Sequence, residues 1–227
     1  MTEVAVPAGS RAPVLAYPLG DALYLNLTSA CTLACTFCPK IRAGDWMVGG
    51  FDLRLERPPG ADEVWSQVER VGLVGRSEVV FTGLGEPTRR LGALLDLTRR
   101  LKAVGVRRVR VDTDGLASLR EGRDVVPELV AAGVGAVSVS LNAADSVTYA
   151  RICPNRFGER AYAACREFIR SCVGSGLEVA ASCVALPGLR EEDCRSAAEA
   201  LGASFRWRPY DRLGRIQEGG PSPGNRA

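Results

Sequence analysis

The chain has 227 residues, with 29 basic and 26 acidic side chains and a net charge of +3. That length suits one domain with a sizeable core, and a charge this small, carried by scattered arginines, argues against a nucleic-acid surface. No apolar run approaches the roughly 20 residues of a membrane span. We therefore expect a soluble globular domain with neither a membrane nor a nucleic acid as its partner.

Strand and helix patterns alternate along the chain. Strand-like runs lie at 23–27, 78–81, 106–111, 136–141, 177–184 and 204–207. Helical patterns fill the gaps at 61–74, 89–104, 124–132, 159–173 and 191–201. Such alternation predicts a parallel sheet with right-handed crossovers. Six units predict an α/β fold of the incomplete (βα)6 type, a partial TIM barrel, because eight units close a full one.

The two ends of the chain differ from this middle part. A pair of short strands at 14–17 and 22–27 is predicted to form a hairpin that leads into the barrel. The terminal stretches are rich in Gly, Pro, Ser and Ala, as loose termini are. We therefore predict a flexible N-terminal segment at 1–13, a core domain at 14–212 and a flexible tail at 213–227.

Polar residues share one face of three predicted strands. Side chains alternate faces along a strand with a period of two, and helices cover the outside of a βα barrel, so these polar faces should point into the lumen. A polar lumen predicts a cleft that holds a polar ligand. An antiparallel sheet with one wet face is the alternative. The polar residues are Tyr24, Asn26, Thr28, Ser138, Ser140, Asn142, Arg206 and Arg208.

Three cysteines follow the first barrel strand in a C-x3-C-x2-C arrangement, Cys31, Cys35 and Cys38. Three thiolates are one fewer than a [4Fe–4S] cube normally takes from a protein. A cluster held in this way keeps one iron open for a small chelating molecule. We therefore predict that these cysteines bind a [4Fe–4S] cluster.

The alternatives are a structural zinc site, a disulfide and three core cysteines. Zinc takes four ligands, often including histidine, and the chain has no histidine. A disulfide needs an oxidising compartment, and no secretory signal pattern opens the sequence, which favours a cytoplasmic location. Core cysteines would follow an apolar period, whereas these lie among Thr, Ser and Ala.

The cysteine motif, with Phe37 just before its last cysteine, resembles that of the radical S-adenosylmethionine (SAM) superfamily. After the second strand, Gly83, Gly85 and Glu86 resemble the glycine-rich turn with which these enzymes hold the methionine amino group of SAM. Glycines let a backbone approach a ligand closely, and a carboxylate pairs with an ammonium group. Alone such a turn is a weak signal, but here it follows the cluster loop in the order that the resemblance implies.

The later strand ends continue the resemblance. Thr113 and Asp114 resemble a T-N-G turn, with aspartate where the superfamily has asparagine. A plain D-G turn is the alternative for this pair. Ser138, Ser140 and Asn142, at the end of the fourth strand, are implied contacts of the ribose hydroxyls or the methionine carboxylate.

The segment after the fifth strand resembles the one that packs on adenine in these enzymes. Val184 and Leu186 would supply apolar surface there, and Gly188 would allow the turn into the last helix. A strand-to-helix loop without such a role is the alternative. Phe37 is implied to pack near both the cluster and the adenine.

The resemblance spans residues 14–212, and within the superfamily the chain looks most like the small radical SAM proteins associated with TatD-type hydrolases. It implies reductive cleavage of SAM to methionine and a 5′-deoxyadenosyl radical, which takes a hydrogen atom from a substrate that the sequence does not identify. An electron donor such as flavodoxin or ferredoxin is implied, and a TatD-type hydrolase is a candidate partner.

Two alternative functions remain open. One is an activase that places a radical on a partner protein, as glycyl-radical activating enzymes do. The other is a non-catalytic iron–sulfur or zinc protein, which would have no use for a ligand pocket built across many strand ends.

Several chemically active residues remain outside these assignments. Cys165 and Cys172 share one face of a predicted helix and are predicted core residues. Cys153 lies in a loop-like segment at 151–158 and is either a hydrogen donor to the substrate or a buried thiol. Arg206 and Arg208 would suit an anionic substrate, or would form ion pairs with Asp112 or Asp114.

Overall fold

The structure, a computed structural model, describes residues 12–210. Within them the strands are β1 (Ala16–Leu19), β2 (Ala22–Asn26), β3 (Met47–Val48), β4 (Phe51–Asp52), β5 (Val79–Thr82), β6 (Val109–Thr113), β7 (Ala136–Ser140), β8 (Glu178–Val184) and β9 (Ser204–Arg208). The helices are α1 (Pro39–Ala43), α2 (Ala61–Val71), α3 (Leu91–Ala103), α4 (Ala117–Glu121), α5 (Val126–Ala132), α6 (Ser146–Ile152), α7 (Arg160–Gly174) and α8 (Glu191–Glu199).

A seven-stranded sheet forms the centre of the fold, in the order β1-β2-β5-β6-β7-β8-β9. Every neighbouring pair from β2 to β9 is parallel, and β1 pairs antiparallel with β2. The six predicted barrel strands and the N-terminal hairpin are therefore confirmed. The alternative of an antiparallel sheet is wrong. Because no strand pairing joins β9 to β1 within residues 12–210, the barrel is incomplete, as predicted.

The helices pack on the outer face of the sheet through apolar stripes. Leu94, Leu97 and Leu101 of α3 are fully buried, and their spacing of three and four residues puts them on one face of the helix. Polar side chains are left on the opposite, inner face of the sheet, which is where the cavity described below lies.

One strand begins later than the sequence predicts. The third barrel strand was expected from residue 106 but starts at Val109. The preceding residues complete the end of α3 instead, since Val106 N–H bonds to the Leu101 carbonyl and Lys102 Nζ bonds to the Val106 carbonyl. These backbone groups are therefore not available to the sheet.

Four short helices or strand pairs were not predicted: α1, the β3–β4 ribbon, α4 and α6. The loop-like segment predicted at 151–158 is wrong at its start, because α6 extends to Ile152 and Cys153 caps its C-terminus. The Asp145 side chain caps the N-terminus of α6 by accepting from Thr148 N–H at 2.8 Å. An aspartate just before a helix is a recognisable N-cap signal, and the sequence carries it at Asp145.

The predicted terminal segments fall almost wholly outside the described residues, as does the boundary predicted at residue 212. The described part of the core domain therefore runs from residue 14 to residue 210. Among the helices of residues 12–210, none has the length and apolar character needed to cross a membrane.

Candidate active site

The loop that carries the three cysteines is held in place from two sides. Leu33 and Phe37, which alternate with the cysteines, are buried and anchor the loop to the core. On its far side, Ala34 N–H bonds to the Pro154 carbonyl at 2.8 Å and Thr36 N–H to the Ile152 carbonyl at 2.9 Å. Apolar anchors and backbone hydrogen bonds thus fix the loop, while the three cysteines remain partly accessible.

The thiols lie in an environment that disfavours their charged form. Burial, and after it the carboxylates of Asp114 and Glu86, raise the pKa of Cys31 to about 12. The hydrogen bond to Cys153, followed by burial, holds the pKa of Cys35 well above its usual value, and burial also raises the pKa of Cys38. A thiolate at these positions therefore needs a nearby positive charge, which bound iron supplies.

A cavity of about 570 Å³ lies at the carboxyl ends of the strands and reaches into the lumen. Active sites of βα barrels lie on this face. The cavity brings together most of the residues that the sequence singles out: Cys31, Cys35, Phe37, Cys38, Gly83, Gly85, Glu86, Thr113, Asp114, Ser138, Ser140, Asn142, Arg206 and Arg208.

The glycine-rich turn after β5 packs directly against the cysteine loop. A Cβ atom on Gly85 would lie 2.0 Å from the Thr28 carbonyl oxygen and 2.9 Å from that of Ala30. Glu86 N–H bonds to the Ala30 carbonyl at 2.9 Å. The immediate reason for glycine at position 85 is therefore the close approach of two backbones, which sets the turn beside the cysteines.

Glu86 is a buried carboxylate that joins two strand ends. Its Oε1 accepts from Thr88 N–H at 2.9 Å, from the Thr88 hydroxyl at 2.6 Å and from the Thr113 hydroxyl at 2.8 Å. Its Oε2 accepts from Asp114 N–H at 2.7 Å. Oε2 accepts from one donor among the described residues and can accept from another, and Glu86 lines the cavity.

Asp114 forms the turn that the sequence offered as the plain alternative, and it also lines the cavity. Its Oδ1 accepts from Leu116 N–H at 2.9 Å, which is the bond of an Asx turn. Its Oδ2 is buried and has no hydrogen-bond partner among the described residues. Burial, and next the neighbouring Glu86 carboxylate, hold the pKa of Asp114 well above its usual value.

Polar residues of β7 form the next part of the wall. Ser138, Ser140 and Asn142 line the cavity, as the alternation of polar and apolar residues predicts. Tyr24 does so on β2, whereas Asn26 is fully buried and its amide donates to the Val14 and Leu53 carbonyls. Most of the predicted polar lumen is therefore confirmed.

Some predicted site residues do not line the cavity. Val184, Leu186 and Gly188 lie at and after the end of β8, and Val184 is buried in the core. Cys153 is fully buried behind Cys35 and does not line the cavity, which agrees with the buried-thiol alternative. Cys165 and Cys172 are core residues, as predicted.

Two lumen residues on β6 were missed as site residues. Arg110 and Asp112 line the cavity and form an ion pair at 2.5 Å. With β6 starting at Val109, its sequence V-R-V-D-T alternates cleanly. Placing the strand start at 106 hid that alternation, which could otherwise have identified both residues.

The arginines of β9 lie near this pair. Burial raises the pKa of Asp112, and the positive charges of Arg110, Arg208 and Arg206 oppose that shift in this order. The interpretation of Arg206 and Arg208 as charge partners of Asp112 is therefore supported, while both side chains also face the cavity.

The donor set fits a cluster better than a single metal ion. Within residues 12–210, no three Cys, Asp or Glu side chains converge as the ligands of one ion do. A cube takes one thiolate for each iron, so its ligands need not converge on one point. Three partly accessible thiols from one loop, facing a cavity, match that requirement.

Comparisons with known proteins identify a family. The family model described as the Radical SAM superfamily matches residues 25–201. The chain is 33% identical over 135 residues to a GTP 3′,8-cyclase from Mycobacterium sp. (strain KMS), covering 57% of this chain and 34% of that protein. It is 32% identical over 138 residues to a probable dual-specificity RNA methyltransferase RlmN 1 from Opitutus terrae, covering 57% and 36%. The chain thus spans about a third of the length of these curated relatives.

Solved structures show the same fold. The FeFe-hydrogenase maturase HydG from Carboxydothermus hydrogenoformans superposes with a TM-score of 0.60 at 13% identity, covering 87% of this chain and 46% of that one. A radical SAM methyltransferase from Sphaerobacter thermophilus gives a TM-score of 0.52 at 19% identity, covering 87% and 69%.

A substitution at Gly85 tests the contact between the turn and the cysteine loop. Gly85→Ala puts a Cβ against the Thr28 carbonyl, so we expect a loss of about 1–3 kcal/mol in the free energy of unfolding and less iron bound per chain after reconstitution. Gly92→Ala is the matched control, because that glycine lies in α3 with no atom within 4 Å of a new Cβ. Urea denaturation and iron analysis measure both effects, and equal behaviour of the two variants would contradict the account.

Proposed function

The chain belongs to the radical SAM superfamily, whose members are enzymes that use a [4Fe–4S] cluster and SAM, and on that premise we propose that this protein catalyses radical chemistry in the cavity described above. The observation that carries the proposal is that the cysteine loop and the Glu86 turn meet at one end of a single cavity with a polar lumen. A protein that only carries electrons does not need a polar cavity with a buried carboxylate beside its cluster.

We assign the cluster to Cys31, Cys35 and Cys38. The loop supplies three thiolates, and with no histidine in the chain the fourth iron is left for the amino and carboxylate groups of SAM. When bound, the reduced cluster supplies the electron that cleaves SAM to methionine and a 5′-deoxyadenosyl radical, which takes a hydrogen atom from the substrate.

The side chains around the cluster have separate tasks in this proposal. Glu86 would accept a charge-assisted hydrogen bond at Oε2 from an N–H of the SAM amino group, the group that would also bind the open iron. Ser138, Ser140 and Asn142 hydrogen-bond the ribose hydroxyls or the methionine carboxylate. Phe37, whose ring is buried and which lines the cavity beside the cysteines, would pack near the cluster and the adenine.

The remaining contacts extend the proposal to the rest of the ligand and to partners. Val184, Leu186 and Gly188 are proposed to lie near the adenine once SAM is bound. A flavodoxin or ferredoxin is proposed as the electron donor, a reducing cytoplasm as the location and a TatD-type hydrolase as a partner of the subfamily that the chain resembles. The substrate occupies the lumen beyond SAM, towards Arg206 and Arg208.

Cleavage of SAM tests the proposed activity. Protein reconstituted anaerobically with iron and sulfide, then given dithionite and SAM, should release 5′-deoxyadenosine and methionine. Cys35→Ala should release none, whereas Cys172→Ala, which removes a buried thiol far along the chain from the loop, should retain the activity. Equal product from the wild type and Cys35→Ala would refute the assignment of the cysteines.

The role of Glu86 is tested by the affinity for SAM. Glu86→Gln keeps the size of the side chain and removes its charge, so SAM should bind about 10–100-fold more weakly to the cluster-loaded protein, as expected for a lost charge-assisted hydrogen bond of about 1.5–3 kcal/mol. Thr113→Val is the control, since it removes one donor to Glu86 and keeps the carboxylate. Calorimetric titration without reductant measures both, and a weaker effect in Glu86→Gln than in Thr113→Val would contradict this role.

A further inference from the structure

Cys153 lies directly behind one of the proposed cluster ligands. Its Sγ is 3.5 Å from Cys35 Sγ, although the two residues are 118 positions apart in the chain. Cys153 is fully buried and does not line the cavity, whereas Cys35 does. Cys153 can therefore contact Cys35 from the core side, but it does not itself face the cavity.

The backbone on both sides holds this contact in place. The residues that flank Cys35 bond to those that flank Cys153: Ala34 N–H to the Pro154 carbonyl, and Thr36 N–H to the Ile152 carbonyl. Cys153 N–H in turn bonds to the Tyr149 carbonyl of α6 at 2.8 Å. The distance between the two sulfurs is therefore set by two bracketing hydrogen bonds and a helix end.

Asn142 orients the Cys153 thiol from the other side. Its Nδ2 donates to Cys153 Sγ at 3.3 Å. Among the described residues, Asn142 is the one non-glycine residue with a positive φ, at 60°, a conformation that L residues rarely adopt. This backbone places its amide beside the sulfur, so an acceptor position of Cys153 is already occupied.

Cluster binding decides which of the two thiols can donate the hydrogen bond between Cys35 and Cys153. The 3.5 Å contact from Cys35 Sγ to Cys153 Sγ is a hydrogen bond in which one of the two thiols must donate. Iron binds the thiolate, so ligation removes the proton of Cys35. The one S–H group left between the two sulfurs is that of Cys153, and the contact can persist only with Cys153 as the donor.

We propose that Cys153 is a positioning residue that donates an S–H···S hydrogen bond to the cluster ligand Cys35, with Asn142 orienting the thiol, and thereby raises the reduction potential of the cluster. Hydrogen bonds to the ligand sulfurs are among the factors that set the potential of an iron–sulfur cluster, because they stabilise the more negative reduced state. The inference rests on the proposed binding of the cluster by Cys31, Cys35 and Cys38.

The reduction potential of the cluster tests the proposed hydrogen bond from Cys153 to Cys35, and it can be measured without an activity assay. Reconstituted wild type, Cys153→Ala, Cys153→Ser and Cys172→Ala would be titrated electrochemically without SAM, with the reduced cluster followed by electron paramagnetic resonance. Cys153→Ala should shift the midpoint reduction potential of the cluster to a more negative value. Cys153→Ser keeps a hydrogen-bond donor, so its midpoint potential should lie close to that of the wild type. Cys172→Ala removes an equally buried thiol elsewhere and should leave the midpoint unchanged.

A spectroscopic signature adds a second readout. Electron–nuclear double resonance of the reduced wild type should show a proton coupling that disappears in D2O, and the same coupling should be absent from Cys153→Ala and present in Cys153→Ser. If Cys153→Ala binds no cluster, Cys153→Ser provides the test. An exchangeable proton coupling in that variant supports the hydrogen bond, and its absence overturns it.

The outcomes of these experiments separate the role of Cys153 from the proposed function. An intact cluster in Cys153→Ala with an unchanged midpoint and coupling would overturn the inference and leave the proposed function standing. Failure of both Cys153 variants to hold a cluster that Cys172→Ala holds would show a purely structural role and would also overturn it. A wild type that assembles no cluster would instead overturn the proposed function, and this inference with it.

Discussion

The buried carboxylate of Glu86 is the interaction on which the geometry of the site depends. Removing a charged carboxylate from water costs several kcal/mol unless it is fully hydrogen-bonded, and here Thr88, Thr113 and Asp114 supply four hydrogen bonds. These bonds tie the end of β5 to the end of β6. The adjacent Gly85 brings the same turn against the backbone of the cysteine loop. The Glu86 side chain and the backbone of the same turn thus connect the end of β6, the end of β5 and the cysteine loop.

Much of this arrangement could be predicted from the sequence because its signals are local. The cysteine spacing, the polar alternation at Ser138 and Ser140 and the turn at Glu86 each lie within a few consecutive residues. The contact between Cys35 and Cys153 could not be predicted, since it depends on how α6 returns the chain to the cysteine loop. Arg110 and Asp112 were missed because a helix cap took the backbone groups assigned to the strand start.

The chain shares its fold with larger proteins of different activities, and it spans about a third of its curated relatives. The match to the family model covers residues 25–201, which include the cysteine loop and the strands from β5 to β8. Function in such a fold depends on the site and not on the fold itself. In this chain the arginines of β9 face the lumen, and the Cys153 thiol lies behind the cysteine loop.

The most direct test of the account is whether SAM binds the iron that the three cysteines leave open. Reduced protein with SAM labelled with ¹⁵N at its amino group would be examined by electron–nuclear double resonance. The account predicts a ¹⁵N coupling to the cluster in the wild type. A reduced [4Fe–4S] cluster that binds SAM with no such coupling would contradict the claim that one iron is left open for it.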